Sequence, residues 1–145
     1  MKSSEVRHDR SRLFVLLLSR CYRAGAAVVG VVMMRRVILE SPYAGDVEAN
    51  VTYARRALRD CLKRGEAPIA SHLLYTQEGV LDDTKPDERS LGIEAGLAWG
   101  AEAAATVVYA DRGISTGMSY GIRRAVREGR AVEYRYLDGL SGELA

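Results

Sequence analysis

The sequence has few of the residues that mark several common classes of protein. Its 145 residues include only two cysteines, Cys21 and Cys61, and their spacing matches no metal-binding motif. A disulfide framework needs more cysteines, so we expect a reducing, cytoplasmic environment. No stretch approaches the roughly 20 consecutive apolar residues that a membrane-spanning helix requires. We therefore expect no disulfide scaffold, no membrane contact and no metal or other cofactor.

Acidic residues outnumber basic ones after the first 36 positions. Residues 1–36 hold eight Lys or Arg against two Asp or Glu, whereas residues 37–145 hold thirteen against seventeen. This larger part carries no basic stripe that could follow a phosphate backbone, so we expect no nucleic-acid partner.

The first 33 residues differ in pattern from the rest. They begin basic and contain short apolar runs that Arg20 and Arg23 interrupt, which is a poor match to an export signal. Met33 and Met34 directly precede the first regular strand. We interpret residues 1–33 as an N-terminal extension outside the fold, with an N-terminal helix as the alternative, and residues 34–145 as a single domain.

From residue 35 onward, short apolar runs alternate with amphipathic segments. This pattern predicts strands at 37–39, 68–71, 106–109 and 132–136, and helices at 46–64, 88–102 and 115–128. Asp87 is expected to cap the second helix, which would bury Leu91 and Trp99, and residues 72–86 are expected to form a long loop. The alternation predicts an α/β fold: a three-layer sandwich with a parallel, flavodoxin-like or Rossmann-like sheet.

Ligands of such sheets bind outside the carboxyl ends of the strands. The rule selects three segments, Ser41–Asn50, Ser71–Asp83 and Ala110–Met118. In the first, Tyr43 offers a ring that can stack on a base, and Gly45 permits close approach of a ligand, although the segment also fits a simple turn with a cap at Asp46.

The last segment runs from a strand end into a helix start. Gly113, Ser115 and Gly117 suit an anion site, because free backbone N–H groups and the helix dipole favour a phosphate there. The same hydroxyl can simply cap the helix. A Gly-Ile-Ser-Thr-Gly run at 113–117 also imitates a hydrolase nucleophile elbow, but both histidines, His8 and His72, lie upstream of it, which argues against that chemistry.

The middle segment holds His72 directly after a predicted strand, where a ligand-binding and a structural role are equally expected. Asp82 and Asp83 are adjacent and could hold a cation, but no cluster of further ligands accompanies them. Metal binding is therefore not expected.

Several short motifs occur in a characteristic order: Ser-Pro-Tyr-Ala-Gly at 41–45, Pro-Ile-Ala-Ser-His-Leu-Leu-Tyr at 68–75, Leu-Asp-Asp at 81–83, Glu88-Arg89, then Asp111 and Gly-Ile-Ser-Thr-Gly-Met at 113–118. In this order they resemble the nucleoside 2-deoxyribosyltransferase-like superfamily, especially its small phage and bacterial members. The resemblance covers about residues 37–137. It implies cleavage or exchange of the N-glycosidic bond of a nucleoside or nucleoside monophosphate, in a homodimer or larger homo-oligomer.

The resemblance also implies which residues bind the small-molecule ligand. They are Ser41, Tyr43, Gly45, His72, Asp83, Gly113, Ser115, Gly117 and Met118. The superfamily's glutamate nucleophile falls at position 121, which is Gly121 here. Asp111 is then the best remaining acid–base candidate, ahead of Asp83 and Glu88. The sequence thus leaves three hypotheses. The first is an N-glycosidase or deoxyribosyltransferase with a displaced carboxylate, and the second is a catalytically inactive nucleotide-binding or sequestering protein. The third is a structural subunit in which Trp99 and the alanine-rich second helix make an oligomer contact.

Overall fold

The computed structural model describes residues 33–138, so the predicted extension at residues 1–33 lies outside this part except for Met33. Strands and helices alternate along the described chain. Within it, no helix is both long and apolar enough to cross a membrane. The elements are β1 Arg35–Glu40, α1 Val47–Lys63, β2 Glu66–Ile69, α2 Ser71–Leu74, α3 Pro86–Gly100, β3 Ala105–Tyr109, α4 Thr116–Arg127 and β4 Ala131–Arg135.

The four strands form one parallel sheet in the order β2-β1-β3-β4. The chain first adds β2 on one side of β1 and then crosses to add β3 on the other side. The strand order therefore reverses between β1 and β3, which is where ligands of such folds bind. With helices on both faces, the arrangement confirms the predicted three-layer α/β sandwich.

The hydrophobic core lies on the sheet face that α1 covers. Val37 and Leu39 of β1 pack there with Val107 of β3, against Tyr53 and Cys61 of α1. Because successive side chains of a strand point to opposite faces, Ile38 and Glu40 lie on the other face, between the sheet, α3 and α4.

Some predicted boundaries were wrong in the region after β1. Strand β2 begins and ends two residues earlier than expected, and the residues expected to start the long loop include the short helix α2. Helix α3 begins at Pro86, with Lys85 at the N-cap and no side-chain cap. Asp87 lies in the first turn instead, because the fixed φ of proline suits the first helical position.

Helix α3 packs differently from the prediction. Leu91 and Trp99 are exposed, whereas Gly96 and Gly100 are buried. The Trp99 indole N–H donates to the hydroxyl of Tyr75 at 2.9 Å, so the ring lies along the surface. The buried side of α3 is thus formed by residues without side chains, which an apolar pattern does not reveal.

A network of charged groups lies beside the core on the α1 face. Glu66 accepts two hydrogen bonds from Arg135, at 2.6 and 2.8 Å, and one from Arg35 at 3.2 Å. Both arginines also contact Glu133. The hydrogen bonds from Arg135 lower the pKa of Glu66, against the opposing effect of burial. On this face the buried carboxylate is fully paired.

Candidate active site

A cavity of about 290 Å³ lies on the opposite face, at the carboxyl end of β1. Helices α3 and α4 form two of its walls, and the loop after β1 forms a third. Its lining includes a carboxylate, a guanidinium–carboxylate pair, two tyrosines and the first residues of α4. These lining residues are Glu40, Tyr43, Asp83, Arg89, Ser115, Thr116, Gly117, Tyr120, Gly121 and Arg130.

Glycines let α3 approach its neighbours closely around this cavity. A Cβ at Gly96 would lie 2.6 Å from the hydroxyl of Ser71, and one at Gly100 would lie 2.8 Å from Nη1 of Arg130. Both distances are shorter than a carbon atom tolerates. The two glycines are spaced by four residues and so share one face of the helix. The wall of the cavity therefore depends on the absence of side chains at these positions.

The start of α4 has free donors that suit an anion. Ser115 is the N-cap, and its hydroxyl accepts from the backbone N–H of Met118 at 3.3 Å. Gly113 adopts a φ of +80°, which turns the chain from β3 toward the helix at a conformation that favours glycine. The guanidinium of Arg89 lies 3.8 Å from the position that a Cβ at Gly117 would occupy. A cation thus adjoins the positive end of the helix dipole.

Glu40 and Gly121 fit each other closely. Glu40 ends the central strand β1, and Gly121 lies on the buried side of α4 directly opposite. A Cβ at Gly121 would overlap Oε1 of Glu40 and come within 2.8 Å of its Cδ. The carboxylate of Glu40 therefore occupies the space that any side chain at position 121 would need.

The Glu40 carboxyl is held in an environment that disfavours its charge. Burial raises its pKa from 4.5 to about 8, and the positive charge of Arg130 offsets only part of this rise. Arg130 is engaged elsewhere: it donates to Thr106 at 3.0 Å, to the carbonyl of Gly100 at 2.8 Å and to Glu128 at 2.7 Å. Within residues 33–138, Glu40 has no hydrogen-bond or ion-pair partner, and its raised pKa favours the protonated carboxyl at neutral pH.

Hydrogen bonds from α1 and α2 hold the loop after β1 in place. Ser41 is buried and its hydroxyl lies 2.8 Å from Nε2 of His72, while Asn50 donates to the carbonyls of Tyr43 and Ala44 at 3.0 Å. Burial lowers the pKa of His72 to about 4, so the ring is neutral at pH 7. It meets the Tyr43 ring edge-on at a centroid distance of 6.4 Å. His72 therefore supports Tyr43 from behind and does not line the main cavity.

Asp111 lies apart from the cavity. Its carboxylate accepts hydrogen bonds from the hydroxyl of Tyr53 and from the backbone N–H groups of Leu137 and Asp138, the latter at 3.0 to 3.1 Å. Burial raises its pKa, but these hydrogen bonds outweigh that effect and hold the pKa below its ordinary value. This geometry ties the chain after β4 to α1. The predicted acid–base role of Asp111 has no support from its surroundings.

An open cleft of about 810 Å³ adjoins the cavity and shares Tyr43, Asp83 and Arg89 with it. Gly45, with a φ of +94°, lines this cleft. Asp83 and Arg89 form an ion pair at the junction. Glu88, the other acid–base candidate, faces the open cleft, where it pairs with Lys85 at 2.9 Å and accepts from the backbone N–H of Asp82.

The predicted site residues therefore divide into two groups. Tyr43, Asp83, Ser115 and Gly117 line the cavity. The others support it from behind, line adjoining space or lie elsewhere: Ser41, Gly45, His72, Asp111, Gly113 and Met118. Of the aromatic, histidine, hydroxyl and acid–base candidates Tyr43, His72, Ser115 and Asp111, only Tyr43 and Ser115 line this cavity.

Sequence reasoning missed Glu40, Tyr120 and Arg130. A signal for Glu40 was present, since it directly follows the apolar run Val37–Leu39 at the carboxyl end of a strand. In the part of the chain that the structure describes, no group of three or more His, Cys, Asp or Glu side chains is arranged to hold a metal ion.

Two comparisons with known proteins bear on this site. A family model described as a domain of unknown function, DUF7768, matches residues 35–135, which include the whole sheet and every residue that lines the cavity. No curated protein matches the chain.

Proposed function

Because the chain belongs to the DUF7768 family, whose description assigns no function, we propose a function from its own residues: binding of a nucleoside monophosphate and cleavage of its N-glycosidic bond. One observation carries the proposal. A single cavity is lined both by an unpaired carboxyl, Glu40, and by an anion-favouring helix start, Ser115–Gly117. Cleavage of a glycosidic bond needs the first, and a 5′-phosphate needs the second.

The phosphate is proposed to bind at the start of α4. Backbone N–H groups of the first turn, the hydroxyl of Thr116 and the guanidinium of Arg89 surround that end of the cavity. Arg89 is paired with Asp83, but a guanidinium has five N–H donors and can bind a phosphate in addition. Together these groups supply the charge-assisted hydrogen bonds that phosphate recognition requires.

We propose that the sugar and the base extend from the phosphate site at the start of α4 into different parts of the cavity. The sugar would lie in the cavity beside the carboxyl of Glu40, which fills the space left by the missing side chain of Gly121 and lines the same cavity as the start of α4. The base would point toward Tyr43, at the junction with the open cleft, which can admit bases of different size. The buried, uncharged thiol of Cys61 and the metabolite substrate both favour a cytoplasmic location.

A catalytically inactive nucleotide-binding protein is the second candidate. The observation that favours it is Gly121, because α4 presents no carboxylate to the cavity. Asp83, the other acidic side chain in the lining, is neutralised by Arg89. This candidate uses the same phosphate site and the same cleft, so the two functions differ only in turnover.

A panel of nucleosides and their 5′-monophosphates tests both candidates. We expect the protein to release free base from at least one monophosphate, detected by chromatography, and to bind monophosphates at least tenfold more tightly than the matching nucleosides. Ser115→Ala and Arg89→Ala should reduce that preference for the monophosphate, while Glu102→Gln, remote from the cavity, should not. Saturable binding with no base release would establish the second candidate. Absence of both would reject the site.

A further inference from the structure

Among the acidic and basic side chains that line the cavity, Glu40 is the one without an ion pair or hydrogen bond to another described residue. It ends the central strand at the point where the strand order reverses. A half-buried carboxyl without a partner contributes little to a fold in its charged form, so its position in the lining of a cavity indicates a functional role.

The surroundings of Glu40 are shaped to keep it in place. Gly121 leaves space in the adjacent wall of α4 that the carboxyl of Glu40 fills, and a methyl group there would displace the carboxyl. The backbone of Glu40 is paired with Val108 of β3, so the displacement would fall on the Glu40 side chain. The titratable or charged groups that share the cavity with Glu40 are Tyr43, Asp83, Arg89, Tyr120 and Arg130.

None of these groups pairs with Glu40. Arg89 is bound to Asp83, and Arg130 is bound to Glu128, Thr106 and a carbonyl of α3. A carboxyl in that position can keep its proton at neutral pH and give it up to a ligand that enters the cavity. This is the requirement for a general acid.

Resting on the function proposed above, we infer that Glu40 is the general acid of this site and protonates the base as it leaves the sugar. The bond between the anomeric carbon and the base nitrogen breaks, and its electron pair goes to the base, which takes the proton of Glu40. A water molecule adds to the anomeric carbon and loses a proton to solvent, and solvent reprotonates Glu40. The products are the free base and the sugar 5-phosphate.

Glu40→Gln tests this role, with Glu102→Gln as the matched control at an exposed position just after α3. We expect Glu40→Gln to lower kcat for base release by at least about 100-fold, the usual contribution of a general acid, and to leave the Kd for the monophosphate within about twofold. In the wild type, kcat should fall as pH rises through about 8, because deprotonation removes the acid.

Each outcome separates this inference from the function on which it rests. No base release by the wild-type protein would overturn both. Release that Glu40→Gln leaves at the level of Glu102→Gln would overturn the role of Glu40 alone, as would a loss of binding with unchanged kcat. Should Glu40→Gln fold poorly, the pH profile of the wild type decides: a kcat that stays constant from pH 7 to 9 would overturn the inference.

Discussion

On the sheet face that α1 covers, the buried carboxylate of Glu66 meets two guanidinium groups, from Arg35 and Arg135. On the face that α3 and α4 cover, the carboxyl of Glu40 meets none within residues 33–138. The two environments move the pKa of similar side chains in opposite directions, below 4.5 for Glu66 and to about 8 for Glu40. Pairing, more than depth, therefore determines which carboxyl is charged at neutral pH.

The difference separates a stabilising role from a chemical one. A paired carboxylate fixes the ends of β2 and β4 relative to each other and has no proton to give at pH 7. An unpaired carboxyl adjoining a cavity contributes little to stability but retains a proton that a ligand can take. Each of the following predictions changes one member of this comparison.

We expect the largest loss of stability when the ion pairs of Glu66 are removed. Glu66→Ala leaves Arg135, whose side chain is 11% exposed, with Glu133 as its remaining ion-pair partner among the described residues. Loss of one member of a buried ion pair typically costs 3 to 5 kcal/mol, and we expect about 3 kcal/mol here because Glu133 remains. Urea unfolding at pH 7 measures this change.

The exposed pair of Arg36 and Glu102 provides the control for that experiment. Both side chains are 68% exposed, so Glu102→Ala should change the unfolding free energy by no more than about 0.5 kcal/mol. Equal effects of Glu66→Ala and Glu102→Ala would show that the network on the α1 face does not stabilise the fold.

We expect a smaller, pH-dependent change in stability from Glu40, the carboxyl without a partner. The folded-state pKa of Glu40 is raised, so the unfolded chain releases this proton at a lower pH than the folded protein does, and stability falls as pH rises from about 4.5 to about 8. The loss is roughly 1.4 kcal/mol per pH unit, or on the order of 2 to 3 kcal/mol between pH 5 and pH 7. Glu40→Gln removes this slope, so the variant should gain stability relative to wild type by about that amount over this interval.

The measurement is a series of urea unfolding curves at pH 5, 6 and 7 for both proteins. Glu66 cannot produce the same slope, because its lowered pKa gives stability that is present above about 4.5 and lost only as pH falls. If the unfolding free energies of wild type and Glu40→Gln change with pH in the same way, then Glu40 is ionised in the folded protein and does not hold a proton at neutral pH.

The features of the fold and the site that could be predicted from the sequence are those that depend on residues close together in the chain. The strands of the sheet could be predicted from apolar runs such as Val37–Leu39, because a central strand that is buried on both faces consists of consecutive apolar residues. The start of α4 followed from Ser115 and Gly117, since capping is a local property. Both depend on neighbours in the sequence, and both predictions placed the residues in the correct elements.

The remainder depends on contacts between distant segments. Asp111 was predicted in the site because it follows the carboxyl end of β3, but hydrogen bonds from α1 and from the chain after β4 hold it outside the cavity. The buried side of α3 consists of Gly96 and Gly100, whose role is visible only in what a Cβ would meet. Gly121 was taken as the loss of a carboxylate, whereas in three dimensions it makes room for one from β1.

This last pairing gives the smallest and most specific prediction. Gly121→Ala alone should destabilise the fold by about 1 kcal/mol, because overpacking against Glu40, which costs about 1 to 3 kcal/mol, exceeds the roughly 1 kcal/mol that alanine gains over glycine within a helix. With Glu40→Ala already present, the overlap is gone and the same change should stabilise by up to about 1 kcal/mol. A double-mutant cycle by urea unfolding should thus give a coupling energy of about 2 kcal/mol, with the reversal of sign as its signature.

Gly117→Ala provides the comparison, since a Cβ there meets nothing closer than 3.8 Å and its effect should not depend on Glu40. If Gly121→Ala has the same effect with and without Glu40, the two residues are not coupled, and the carboxyl of Glu40 does not occupy the space beside α4 that the chemistry requires.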